Sequence, residues 1–138
     1  MATLTPAAPA VGLDTTVNVT TFPTRTYYVD RDLGRIISMV DELDAMDQAI
    51  DKILWTERYY WLIYSWNYGI ELEDLVGQNP SYVTSEIKRR ITEALLADDR
   101  VISVTDFTFY KSDIDDMTVT FTINTIYGTT TKTAGVTM

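Results

Sequence analysis

Neither cysteine nor histidine occurs in this sequence. Disulfides, thiolate or imidazole metal sites, cysteine nucleophiles and histidine-based triads are therefore excluded, which leaves carboxylates, Lys, Tyr, Ser and Thr to carry any chemistry. Long apolar runs are also missing, since no stretch approaches the roughly 18 consecutive residues that a membrane span needs. The opening MATLTPAAPAVGLDTTVNVTTFPTR has no basic segment followed by a continuous apolar one, so it does not read as a secretory signal. The expectation is a soluble chain made in the cytoplasm, with no membrane partner. Positive charge is scarce: 11 Lys and Arg stand against 20 Asp and Glu, a net charge of -9. Such a chain repels phosphate backbones, so nucleic acid is not an expected partner, and the charge serves better to keep a sticky subunit soluble before assembly. Walker-type, Rossmann and G-x-S-x-G patterns are all absent.

What is present is enough for one domain, with 138 residues and 46% hydrophobic content. Residues 1–24, rich in Thr, Ala, Pro and Val, read as an extended or disordered N-terminal arm, and the domain proper as residues 25–138. Thr26 to Val29 and Arg35 to Met39 are β-prone runs around the turn-forming Asp30 to Gly34, which predicts a hairpin. Asp41 is a candidate N-cap for a helix with Leu43, Met46, Ile50, Ile53 and Leu54 on one face. A short helix is expected over Glu71 to Val76, stopped at Gly77. Tyr82 to Ala97 carries a second stripe, Val83, Ile87, Ile91, Ala94 and Leu95, with Glu86, Lys88, Arg89, Arg90 and Glu93 expected to be mostly solvated. Val101 to Tyr110 and Met117 to Tyr127 then read as strands joined by the acidic turn KSDIDD, Val119, Phe121 and Ile123 alternating with threonines. After Gly128 the half-polar TTTKTAGVTM is expected to bury little and to be available for pairing with another chain. The fold class is α+β: two main amphipathic helices packed on an antiparallel sheet, with a C-terminal β-hairpin.

The segment TERYYWLIYSWNYGIELEDL, residues 56–75, holds six aromatic side chains and four carboxylates. Glu57, Glu71, Glu73 and Asp74 near Trp61 and Trp66 carry the residue types of a glycosidase, which needs an acid and a base or nucleophile across the scissile bond. The aromatic faces alone could stack on sugars. Packing explains the same residues more simply, with Trp55, Tyr60, Leu62, Tyr64 and Leu72 or Leu75 filling the space between helices and sheet while Glu57 and Arg58 fix a corner. Asp113, Asp115 and Asp116 resemble part of a cation loop but lack the Gly and Glu that complete one, so an acidic turn is expected, with no metal and no cofactor.

The runs GRIISMVDELDAMDQAIDKILWTERYYWLIYSWNYGIELEDLVG, EIKRRITEALLADDRVISVTDF and MTVTFTINTIYGT resemble the sheath-initiator family of contractile-tail baseplate wedge proteins, over about residues 25–130. The resemblance is strongest to the prophage type of Gram-positive hosts. It implies a structural, non-enzymatic subunit of a virion or tail-like bacteriocin, assembled in the host cytoplasm, monomeric when free and sixfold around the tail tube. Its implied partners are the sheath protein, other wedge proteins and nearby tube and hub proteins. The family's terminal β-structure templates the first sheath ring by strand exchange, which maps here to Thr129, Thr130, Thr131, Lys132, Thr133, Ala134, Gly135 and Val136. A Glu-Pro-Arg motif in the broader family contacts the helical core of the wedge. Asp98, Asp99 and Arg100 occupy the matching positions, the arginine kept and the proline replaced, with Glu57 and Arg58 as further candidate wedge contacts. From the residues alone, Arg100 could pair with a partner carboxylate or internally with Asp98 or Glu57. The family was once described as lysozyme-like, and a glycan- or peptidoglycan-binding or lysozyme-like module is the alternative reading.

Overall fold

The computed structural model describes residues 23–112 and 116–137. Most of the arm, and Asp113 and Asp115 of the acidic turn, lie outside the described residues. In chain order the elements are β1 (Thr26–Asp30), β2 (Arg35–Val40), α1 (Glu42–Trp55), a single 3-10 turn (Glu73–Leu75), α2 (Pro80–Leu96), β3 (Val101–Lys111), β4 (Asp116–Thr125) and β5 (Gly128–Thr137). The strands form two antiparallel sheets: a β1-β2 ribbon and a three-stranded sheet in the order β3-β4-β5. The expected α+β class holds, with the N-terminal hairpin standing as a separate ribbon.

Each helix starts where its sequence provides an acceptor for free backbone donors. The Asp41 carboxylate accepts from Glu42 N at 2.8 Å. The Asn79 side chain accepts from Ser81 N at 3.0 Å, ahead of Pro80. Proline at the first helical position gives up no hydrogen bond that the helix would use, which is why α2 begins before Tyr82. The expected stripes are the ones that pack. Met46, Ile50 and Ile53 of α1 are buried, as are Val83, Ile87, Ile91, Ala94 and Leu95 of α2. Beneath them, Met117, Val119, Phe121 and Ile123 of β4 are buried, while Thr118, Thr120, Thr122 and Asn124 turn to the other face. Three sequence expectations shift. The segment at 71–76 makes only one 3-10 turn. Arg90 is not solvated: its side chain is 10% exposed. Trp55, Tyr60, Leu62 and Tyr64 are outside the core altogether, which Leu75 enters and Leu72 borders.

The terminal strand differs most from its expectation. β5 pairs with β4 along its whole length, from Thr125↔Gly128 to Asp116↔Thr137. Its inward side chains reach the helices. Val136 is buried, Thr130 Oγ1 donates to Asp47 at 2.8 Å, and Lys132 Nζ sits 2.6 Å from Asp47 and 2.9 Å from Asp51. Burial opposes the ammonium, but its hydrogen bonds to the Asp47 and Asp51 carboxylates outweigh that and hold the Lys132 pKa above the ordinary lysine range. Low hydrophobicity misleads here because the strand is held by its backbone ladder and by one bridging lysine. β3, the other edge, carries register shifts and a residue in the left-handed region, Asp106 at φ 56°. A bulge of that kind disrupts an edge for further pairing.

Deletion of Thr129–Met138 is expected to uncover β4 and abolish cooperative unfolding, measured by urea denaturation followed by circular dichroism.

Candidate functional site

The aromatic segment forms a closed loop with a narrow neck. Ile70 N donates to Thr56 O at 2.9 Å and Arg58 N donates to Ile70 O at 3.1 Å, a parallel bridge between Glu57 and Ile70. Gly69 makes the neck possible. Its φ is 96°, and a Cβ there would lie 2.4 Å from Thr56 O. The neck is bolted to α2 by two arginines. Arg58 Nε donates to Gly69 O and its Nη1 to Glu93, both at 3.2 Å. Arg90 binds Asp74 with both terminal nitrogens, Glu86 through Nε and the Glu71 carbonyl through Nη1. Glu57 accepts from Leu72 N at 3.1 Å, and burial raises its pKa above the usual value against the pull of that bond.

With its base fixed, the loop projects as a tongue. Leu62 is wholly exposed, and Ile63 and Trp66 are 84% and 81% exposed. The rings pack on one another, Tyr59 edge-on to Trp66, Tyr60 edge-on to Trp61, and Tyr64 stacked on Tyr68. Trp55 is also outside, under the Arg31 guanidinium. A shallow cavity of about 140 Å³ on the tongue is lined by Tyr59, Trp61, Leu62, Tyr64, Ser65 and Trp66, with no carboxylate among them. Of the carboxylates weighed for catalysis, Glu71 lines a separate cavity with Tyr59, and Glu57, Glu73 and Asp74 line neither of the two. Sequence reasoning missed the tongue, although Tyr59 to Ile70 contains no charged residue in twelve.

Asp98 and Arg100 form the α2-β3 corner. Arg100 Nε and Nη2 meet the Asp98 oxygens at 2.9 and 2.6 Å, and Arg100 N donates to Oδ1 at 3.0 Å. Of the two internal pairings left open by the sequence, the one with Asp98 is formed. Arg100 holds the Asp98 carboxyl below its usual range, with burial opposing and the backbone donor assisting. Asp99 is exposed. The pair lines a cavity of about 220 Å³ with Thr24, Ala49 and Tyr68. Arg58 lines a different one of about 130 Å³ with Arg89, Arg90 and Glu93. The corner and the Glu57–Arg58 neck are thus separate features.

The third element is the free edge of β5. Ile126 N donates to Arg100 O on the β3 side, so the even-numbered residues of β4 turn their backbone groups to β3 and the odd ones to β5. Alternation then directs the backbone groups of Thr129, Thr131, Thr133 and Gly135 outward, away from β4. The side chains of Thr131, Thr133 and Gly135's position are exposed, while Lys132, Ala134 and Val136 face the helices. Among the described residues no group of three or more Asp or Glu is placed to hold a metal ion, and no helix is long and apolar enough to cross a membrane.

An open strand edge, an exposed apolar tongue and a charged corner are the surface features of a subunit suited to docking. Residues 22–128 match the family described as contractile injection system sheath initiator. The chain is also 40% identical, over 109 residues, to the phage-like element PBSX protein XkdS of Bacillus subtilis (strain 168), covering 76% of this chain and 77% of that protein. The chain belongs to the contractile injection system sheath initiator family. Its role is structural, within a contractile tail.

Because a depressed carboxylate adds stability above its unfolded pKa of about 3.9 and loses it as pH falls through the folded value, Arg100→Gln is expected to destabilise by about 1–2 kcal/mol at pH 7. Urea midpoints should converge with those of the unaltered protein only as pH falls below the usual carboxylate range, through the depressed Asp98 pKa.

Proposed function

We propose that this protein links the baseplate wedge to the first sheath ring, with the β5 edge accepting a strand from the sheath protein. The supporting observation is the outward row of backbone groups at Thr129, Thr131, Thr133 and Gly135, on a strand whose other side is fully paired. This refines strand exchange through residues 129–136: β5 stays home and serves as template, rather than leaving its own sheet. Each added hydrogen bond contributes only about 0.5–1.5 kcal/mol net. Six joints around the tube gain firmness through effective concentration, and the net charge of -9 keeps free monomers apart.

The wedge side is assigned to the tongue and to the Asp98, Asp99 and Arg100 corner, with Glu57 and Arg58 holding the tongue in place. An uncharged loop with Leu62 and Ile63 at its tip fits an apolar recess on a wedge protein, and exposed Asp99 suits a basic rim. The protein then works in the virion baseplate and performs no catalysis.

A second reading, glycan binding, draws on the exposure of Trp61 and Trp66. The two are separable by titrating peptidoglycan fragments against the tongue's tryptophan fluorescence. Saturable micromolar binding would favour the glycan module over wedge docking.

Proline is tolerated on an edge strand where its missing N–H faces outward. Thr131→Pro is accordingly expected to leave two-state unfolding intact and to stop sheath polymerisation on baseplates, scored by electron microscopy of particles. Normal sheaths would contradict the template. Leu62→Asp with Ile63→Asp should leave thermal stability unchanged and prevent incorporation into the wedge, read by co-purification with wedge proteins.

A further inference from the structure

The β1-β2 ribbon stands outside the core. No hydrophobic side chain of β1 or β2 belongs to the core or packs against it, and Tyr27, Ile36, Ile37 and Met39 are exposed. Among the described residues, polar contacts between ribbon and body fall at three places. At the root, buried Thr24 donates its hydroxyl proton to the Tyr127 hydroxyl. At the tip, the Arg31 guanidinium lies over the Trp55 ring, where α1 ends. Midway, Gln48 of α1 closes the β1 edge: its amide nitrogen donates to Tyr27 O at 2.8 Å and its oxygen accepts from Val29 N at 2.9 Å. Both bonds are exposed, so water competes for each partner. Charge works against them. A groove of about 700 Å³ between ribbon and helix is lined by Asp30 and Asp32 on one side and by Asp44, Asp47 and Asp51 on the other. Arg31 is the one cation on that lining, and it is engaged by Trp55. Lys132 reaches Asp47 and Asp51 from β5, and Arg35 stands opposite Asp30 within the ribbon itself. Among the described residues no ion pair joins ribbon to helix. Like charges on facing elements therefore push the two apart, and salt weakens the push.

We infer that the ribbon is a strap, latched by Gln48 against this repulsion, which lifts from α1 while the core stays folded. The pivots lie together at one end. Thr26 pairs with Val40, so the chain enters the ribbon through Arg25, next to the anchored Thr24, and leaves it through Asp41 beside that entry. On leaving it turns a sharp corner, Asp41 extended and Glu42 in the left-handed region at φ 49°. The opposite end, with Arg31, is free to swing once the tip and the latch let go. Lifting releases Tyr27 C=O and Val29 N–H, and β1 then offers a pairing edge that the closed strap hides. The strap is thus a two-state element biased open by charge and shut by one side-chain amide, and its setting moves with ionic strength. No group of the core changes partners in the transition, since the ribbon lends it no hydrophobic side chain.

Solvent exchange of single amides in the full-length protein, followed by NMR, tests this. The Val29 amide reads the latch, Val119 in the middle of β4 reads the core, and Leu62, whose N–H has no partner among the described residues, serves as the reference. Val29 is expected to exchange at least about a hundredfold faster than Val119, by local opening. Relative to Leu62 it should slow at least about threefold from about 10 mM to 1 M salt, as the screening length falls from about 30 Å to 3 Å. Asp32→Asn should slow Val29 in low salt and shrink that salt effect. Gln48→Ala, a change that favours the helix itself, should speed Val29 at least about fivefold and leave Val119 and the melting temperature unchanged. Exchange of Val29 in step with Val119 would make the ribbon part of the cooperative core. A ratio to Leu62 that ignores salt would remove the repulsion, and an unaltered Val29 in Gln48→Ala would remove the latch. Any one of the three overturns the proposal.

Discussion

The alternation along β4 is the constraint on which the rest depends. Its odd-numbered residues face the helices and donate their backbone groups to β5; its even-numbered residues face outward as a row of threonines and pair with β3. A slip of one residue would bury Thr118, Thr120 and Thr122 and expose Val119, Phe121 and Ile123, so the register has a single stable solution. That register also fixes which backbone groups of β5 are left free. The strand that makes the core thus determines the strand that can make contacts.

Ion pairs take over where the core cannot reach. The loop between α1 and α2 places one short turn and few apolar side chains against the core, and Arg58 and Arg90 hold its neck through carbonyls and carboxylates. These two guanidiniums are nearly covered, and each has several acceptors, which is the condition under which a charge can be withdrawn from water. With the neck satisfied in this way, the tongue touches the core only through Tyr68 and turns its other aromatic side chains to its surroundings.

The helices and β4 were legible because periodicity states which face is buried: Val83, Ile87 and Ile91 at helical spacing, Val119, Phe121 and Ile123 at alternate positions. The tongue was not legible in the same way. Tyr60, Leu62 and Tyr64 are hydrophobic without a period, and hydrophobicity alone does not distinguish a core from a surface awaiting a partner. The covered state of Arg90 was hidden because its acceptors, Asp74 and the Glu71 carbonyl, belong to a loop 16 and 19 residues away. The internal fork between Asp98 and Arg100 could be foreseen as one of several pairings, since only Asp99 lies between them at a helix end. Thr129 to Val136 looked weak because composition records side chains and not ladder hydrogen bonds, and because Lys132 meets its carboxylates 81 and 85 residues away.

The side-chain amide of Gln48 imitates a peptide group: it offers β1 a donor and an acceptor at the spacing of a neighbouring strand and carries no further strand behind it. A ribbon open on both sides would propagate, each added segment presenting a fresh edge to the next, until the product was a fibre. With the β1 side closed by one glutamine, pairing with a further strand is confined to the β2 side. One side chain thus replaces a neighbouring strand and halves the edges through which the ribbon could aggregate.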